Sequence, residues 1–301
     1  MMIEYLVLIS CIGFLASLIP GRHRKYAAIT GWVFIVLFLF AALPEYFSES
    51  NFLYPLMAAL SVPFLFITIK YLLAENTPVL HLSRAAAVAF LIYAPFAYLP
   101  VAGTWLISSV VSEIVWLLNL FNYPVSLDTW NIIAQHGFRV EIILACTGIQ
   151  SIAIMLGVAA AVPSTLWQKA YAFLLVAPTI YILNLFRNVF VIMAYTGQWF
   201  PYFPDIAGNG EIGYESFFWA HNVIAELLAL VVLIVIAYGL FTLIPQLGAF
   251  ADELYQLYYG EIIREFERIR GKGPGKSAID PGLVPGPETA LVEIPDEPKK
   301  Q

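Results

Sequence analysis

Charge is what this sequence has least of. Of its 301 residues only 12% are Asp, Glu, Lys or Arg, while 60% are hydrophobic; soluble domains carry about a quarter charged residues. Such long apolar runs exclude an ordinary water-soluble domain, because a bilayer accommodates them better than an oversized core does. Cysteine is scarce too: Cys11 and Cys146 are the only two, too few for a disulfide framework. Cys11 lies inside the first apolar run, where a small packing residue is expected. There is no basic face for nucleic acid and no Gly-rich phosphate loop. There is no His-Glu-x-x-His run, so His136, His221, Asp205 and Glu211 make a poor case for a metal, and no cofactor is expected. The last apolar run lacks the Lys a retinal Schiff base needs. Ionisable residues gather at one face rather than at mid-membrane, which weighs against a seven-helix receptor or transporter. A cleaved leader is not expected either: Glu4 stands where basic residues belong, and Arg22, Arg24 and Lys25 follow the apolar run.

What is present is a series of apolar segments. Seven runs, at about 5–20, 26–44, 53–74, 85–107, 142–162, 170–194 and 217–243, each approach the ~20 residues that span a bilayer. The first is short, and Pro95 and Pro100 threaten to split the fourth. The expected fold is an all-α polytopic membrane bundle of about seven transmembrane helices. The transmembrane domain covers 1–243, with a catalytic core over about 85–243. Thirteen of the fifteen Lys and Arg residues fall in alternate connections or in the C-terminal tail. The positive-inside rule then puts the N-terminus outside and the C-terminus inside. Arg139 and Arg187 are left on the outer side, against the bias.

Two outer segments are long, about 108–141 and 195–216. The first opens with an apolar stretch, Ser108 to Leu120, expected to lie at the interface. A small hairpin turning at His136-Gly137 is expected to follow. The second is rich in aromatics, Pro and Gly, and long ordered loops commonly cover a site. Over 244–270, Phe250, Leu254, Leu257, Tyr258, Ile262, Phe266 and Ile269 recur at helical spacing opposite a charged face, which predicts an amphipathic helix on the inner surface. The remaining 271–301, with six prolines and many charges, is expected to be a disordered cytoplasmic tail.

Three residues stand out once the topology is drawn. Cys146 begins the fifth run, Arg187 lies towards the outer end of the sixth, and His221 begins the seventh, so all three reach the same depth beneath the outer surface. Taken singly each has a plain explanation: packing for Cys, snorkelling for Arg, polar trim for His. Together they form a set suited to acyl transfer. A thiolate is a strong nucleophile, an imidazole carries a proton near neutral pH, and a guanidinium offers a rigid fork of donors to an oxyanion. Weaker candidates for substrate binding or support are Arg139, Gln150, Asn188, Asn222 and Glu226. Arg139 and Glu141 lead into the fifth run and are placed to pair with each other or to grip a substrate. Glu226 is an intramembrane carboxylate, by default functional or paired, and Arg187 is its obvious partner.

The run Ala145-Cys146-Thr147-Gly148-Ile149-Gln150-Ser151, then Phe186-Arg187-Asn188, then His221-Asn222, resembles the exosortase/archaeosortase family over roughly residues 85–243, and its archaeal branch most. Some members of that branch carry Arg in the third position, where this chain has His221. The resemblance implies a membrane-embedded cysteine transpeptidase at the extracellular face. Its clients would be secreted proteins, such as surface-layer glycoproteins, that end in a motif of the Pro-Gly-Phe type, a transmembrane helix and a basic tail. It would cleave near the motif through a thioester and join the new C-terminus to the amine of a membrane lipid. Cys146 would be the nucleophile, Arg187 would stabilise the oxyanion or thiolate, and His221 would serve as general acid and base. The competing enzyme is a hydrolytic membrane cysteine peptidase using the same residues.

Overall fold

The computed structural model describes residues 2–44 and 53–270, so the expected disordered tail at 271–301 lies outside the described residues. Helices dominate: α1 (Met2–Ser17), α2 (Arg24–Ala41), α3 (Leu53–Leu73), α4 (Thr77–Tyr98) and α5 (Pro100–Leu120) come first. A three-stranded antiparallel sheet follows, β1 (Ser126–Thr129), β2 (Ile132–Gln135) and β3 (Phe138–Glu141), ordered β1-β2-β3. Next come α6 (Ile149–Ala161), α7 (Leu166–Thr196), the single turns α8 (Pro204–Ala207) and α9 (Tyr214–Phe217), and α10 (Glu226–Leu243). The last helix is α11 (Gln246–Ile269). Among the described residues six stretches are long and apolar enough to cross a membrane: α2, α3, α4, α5, α7, and the run from α9 through α10. Two apolar helices, α1 and α6, are shorter. The protein is an all-α polytopic membrane bundle carrying one small sheet.

Three expectations need correction. The run at 85–107 is not one span. The chain is extended at Leu99, because the residue before a proline is pushed out of the helical region, and Pro100 restarts the helix at its first turn, where no N–H is needed. Pro95, by contrast, is accommodated inside α4. The stretch Ser108 to Leu120 is therefore no separate interfacial helix but the body of α5. Helix α5 does not return alongside α4. Tyr181 of α7 donates to Glu113 of α5 (2.9 Å), and Tyr123, just past the end of α5, bonds Thr196, the last residue of α7 (2.7 Å), so α5 advances in the same sense as α7. Finally, the run at 142–162 contains a helix of only 13 residues, α6.

The three helices behind the site pack closely. A Cβ on Gly157 of α6 would lie 2.5 Å from the Ala85 carbonyl oxygen of α4, so only glycine permits this approach. Gln150 of α6 donates to Tyr93 of α4 (3.2 Å). Position 150 thus meets 93 while 157 meets 85, which makes α4 and α6 antiparallel. The small residues of α6 lie inside, with Ala153, Ala159 and Ala161 buried, as expected where backbones approach without a water-driven force. Helix α7 starts with a reciprocal cap between Thr165 and Gln168, and its 31 residues extend about 46 Å at 1.5 Å per residue.

Two hydrophobic clusters divide the length of α7. One joins its early residues Ala172, Val176 and Ile180 to Ala159 and Val162 of the α6 end, to Ile236 and Leu240 of α10, and to Leu247 and Phe250 of α11. The other joins its later residues Leu185, Val189 and Ile192 to Val110, Ile114 and Leu118 of α5 and to Ile133, Val140 and Ile142 of the sheet. The chain divides into two compact units at Tyr255/Gln256. In the second, the continuing helix pairs Arg264 with Glu261 (2.8 Å) and sets Arg270 over the Phe266 ring.

Candidate functional site

The hairpin expected at His136-Gly137 is there, with φ of 52° and 87° at the two turn residues, the signature of a two-residue turn whose twist matches the strands. It pairs Gln135 with Phe138 through to Ile132 with Glu141. The third strand, β1, was not expected; it pairs with β2 through a bulge between Leu127 and Thr129. Asn131, buried between β1 and β2, donates to the Glu141 carboxylate (3.1 Å) and the Ile142 carbonyl (3.2 Å). The sheet therefore delivers the chain rigidly into the segment that carries Cys146.

Cys146 is not in the first turn of a helix. It sits in a 3-10 turn, Leu144–Thr147, and Gly148 (φ 78°) then reverses the chain into α6. A residue with a Cβ would be strained at that φ and would also crowd the Asn184 side chain at 3.2 Å. The turn leaves the Cys146 carbonyl without a helical partner. Asn184 and Asn188 of α7 both donate to it, at 2.6 and 2.8 Å. They lie one turn apart on the helix face that also carries Arg187.

Helix α7 and the segment entering α10 bring the other two residues together. Arg187 Nη2 lies 2.9 Å from Glu226 Oε1 and 3.4 Å from His221 Nε2. His221 Nδ1 lies 2.8 Å from Asn222 Oδ1. With Nδ1–H donating to Asn222, Nε2 is the nitrogen left to accept, and it faces the guanidinium. The ring stacks on Phe217 at 4.9 Å between centroids. His221 lies within Phe218–Ala225, eight residues wound as a π-helix, a rare winding that recurs at functional sites. The segment before it is tied down: Gln198 donates to Tyr195 and Gly213 carbonyls, Ser216 accepts from Phe200 N–H, and Trp219 donates to the Tyr202 carbonyl.

Cys146 and His221 line one cavity of about 40 Å³, together with Glu141, Asn188, Phe217 and Ile192. It is small and mainly apolar, with Cys146 and His221 at its wall. The chemistry such a set supports is nucleophilic attack by sulfur with a proton acceptor beside it. Among the described residues no cluster of three His, Cys, Asp or Glu is arranged to hold a metal ion.

The weaker candidates divide. Asn188 and Asn222 both touch the site, through the Cys146 carbonyl and the imidazole, and Glu226 has the partner expected of it. Gln150 is turned to Tyr93. Arg139 pairs with Asp128 at 2.6 Å and is exposed, so it neither pairs with Glu141 nor meets the cavity. Sequence reasoning missed Asn184, although its spacing from Arg187 and Asn188 puts all three on one face of α7.

Known proteins bear on this geometry. The model of the transmembrane exosortase family (Exosortase_EpsH) matches residues 2–214, which include Cys146 and Arg187 but stop short of His221. Archaeosortase A of Haloferax volcanii is 25% identical over 265 residues, covering 80% of this chain and 86% of the relative. Archaeosortase A of Natronomonas pharaonis is 29% identical over 253 residues, covering 78% and 80%. No solved structure matches the chain. With more than two thirds of its length matched in one continuous stretch, this multi-pass membrane protein belongs to the transmembrane exosortase family.

Proposed function

We propose that this protein processes the C-terminal sorting tails of secreted surface proteins at the outer membrane face, as a cysteine transpeptidase with a lipid amine as acceptor. The observation that carries the reading is the shared cavity. Cys146 and His221 line it together, and Arg187 reaches the His221 ring from the adjacent helix. Membership of the exosortase family and similarity to two archaeosortases supply the substrate class.

The residues divide the work as follows. His221 takes the proton from Cys146, and the sulfur attacks the scissile carbonyl carbon of the client. Arg187, held by Glu226, turns its free donors to the developing oxyanion. The peptide C–N bond breaks, and His221 returns the proton to the leaving amine. A thioester on Cys146 remains, and an acceptor amine attacks it, releasing the thiol. The clients carry a motif, a transmembrane helix and a basic tail. Such a helix reaches the site sideways through the lipid, and a headgroup amine arrives at the same depth.

Replacing Cys146 by Ala tests the reading. A client bearing the sorting tail should stay untrimmed in cells carrying the variant, with trimming reduced by at least about a thousandfold. Trimming at the normal rate would remove Cys146 as nucleophile. A trimmed client with a free carboxylate in place of a lipid would leave a hydrolytic peptidase.

A further inference from the structure

The imidazole of His221 is held at its edge by polar partners, Asn222 at Nδ1 and Arg187 at Nε2. Its face is met by Phe217, one helical turn earlier. Their ring centroids lie 4.9 Å apart and their planes are 16° from parallel. Phe217 also lines the cavity that Cys146 and His221 share. Helical neighbours touch routinely; what singles Phe217 out is that the contact continues. Tyr195, buried on α7, meets Phe217 edge to face at 5.5 Å and 71°. Phe138, the first residue of β3 after the His136-Gly137 turn, meets Tyr195 edge to face at 5.0 Å and 62°. Tyr195, Phe138 and Phe217 belong to one apolar cluster. Rings from β3, α7, α9 and the π-helical segment thus touch in sequence, from the sheet to the imidazole.

We infer that Phe217 is a positioning residue for His221, and that Tyr195 and Phe138 tie it to the sheet, so that this chain of rings sets the tilt of the imidazole beside Cys146. The inference rests on the thioester reading, in which His221 takes a proton from the sulfur and returns it to the leaving amine. Both transfers need the ring nitrogen to keep its aim. Hydrogen bonds at the edge fix where the nitrogens point; a stacked face fixes the plane. Edge-to-face contacts hold aromatic planes at a preferred angle, and close-packed interiors pass a displacement on instead of absorbing it. The sheet already delivers the chain into the turn that carries Cys146, through Asn131 and the Ile142 carbonyl. One small sheet therefore sets both reacting partners, the thiol through the backbone and the imidazole through the rings.

The test uses the full-length protein in lipid vesicles, in excess over a client segment, and reads the rate constant of client cleavage in a single turnover. Misfolded molecules lower the amplitude and leave that constant alone. Phe217→Leu should lower it about tenfold, within the hundredfold that a displacement of about 1 Å can cost. Phe138→Leu, at a residue that does not line the cavity, should lower it about threefold, as packed side chains can at a distance. The protein concentration giving half the maximal rate should stay unchanged in both. Phe138→Tyr, which keeps the ring, should restore the wild-type rate. In a Phe217→Leu background Phe138→Leu should add no further loss, because the chain is already broken. A wild-type rate constant in either Leu variant overturns the inference. So does a full, additive loss in the double variant, which would mean that Phe138 acts by another route. A shift in half-saturation with the maximal rate unchanged overturns it too, by making these rings client contacts. Cleavage by Cys146→Ala at the wild-type rate sinks the thioester reading instead.

Discussion

The two ends of α7 are built on different principles. Around Ala172 and Val176 the helix is held mainly by shape, with small and aliphatic residues from α6, α10 and α11 packed against it and Gln168 bonded to the Leu243 carbonyl. From Asn184 to Thr196 the apolar packing of Leu185, Val189 and Ile192 is joined by polar side chains bonded to the Cys146 carbonyl, to His221 and Glu226, and to Tyr123. Polar groups within a bilayer are expensive unless partnered. Their concentration at one end, beside a π-helical segment and a small sheet, identifies that end as the one shaped for something other than packing. The other end is the scaffold that keeps it in place.

The sharpest way to separate the two ends is to change a function-bearing charge without changing its sign. Arg187→Lys keeps the cation and loses the fork that serves Glu226 and His221 at once. Client trimming should fall about a hundredfold, the usual loss when one oxyanion donor goes, while thermal unfolding of the purified protein in detergent stays near wild type. A fully active Lys variant would reduce Arg187 to a charge. At the scaffold end the opposite pattern is expected. Gly157→Leu drives a side chain into the Ala85 carbonyl, and overpacking of this kind costs about 1–3 kcal/mol. Unfolding should shift to lower temperature, with activity lost only in proportion to folded protein. Asn184→Ala sits between the two. It removes one of two donors from the Cys146 carbonyl, leaving Asn188, so the loss should fall at the low end of the ~1–3 kcal/mol typical of an orphaned buried polar group. Steady-state kinetics should show a fall in kcat larger than the drop in stability explains, because the turn that aims the thiol is loosened. A purely thermal effect would place Asn184 with the scaffold.

Much of this was legible in the sequence. Charge distribution and run length gave the membrane bundle, and the depth shared by Cys146, Arg187 and His221 follows from topology alone. The His136-Gly137 turn and the amphipathic periodicity of α11 were local signals, and local signals survive folding. What was not legible depends on tertiary partners. The direction of α5 is decided by where Glu113 and Tyr123 find their hydroxyl partners on α7, which no hydropathy pattern encodes. Cys146 occupies a 3-10 turn because Asn184 and Asn188 accept the task of satisfying its carbonyl; without them the same residues read as the start of a helix. Gln150 has the right spacing to face the site and the wrong neighbour, Tyr93. Arg139 was drawn to a strand, β1, that short polar alternation did not reveal.

The central claim is a thioester on Cys146. Its most direct measurement is capture of that intermediate: the full-length protein in vesicles, a client segment with its sorting tail, and hydroxylamine, with the product's C-terminus read by mass spectrometry. The account predicts a hydroxamate at the cleaved C-terminus with the wild type and none with Cys146→Ala. A client trimmed by the wild type to a free carboxylate, with no hydroxamate at any hydroxylamine concentration, would contradict it.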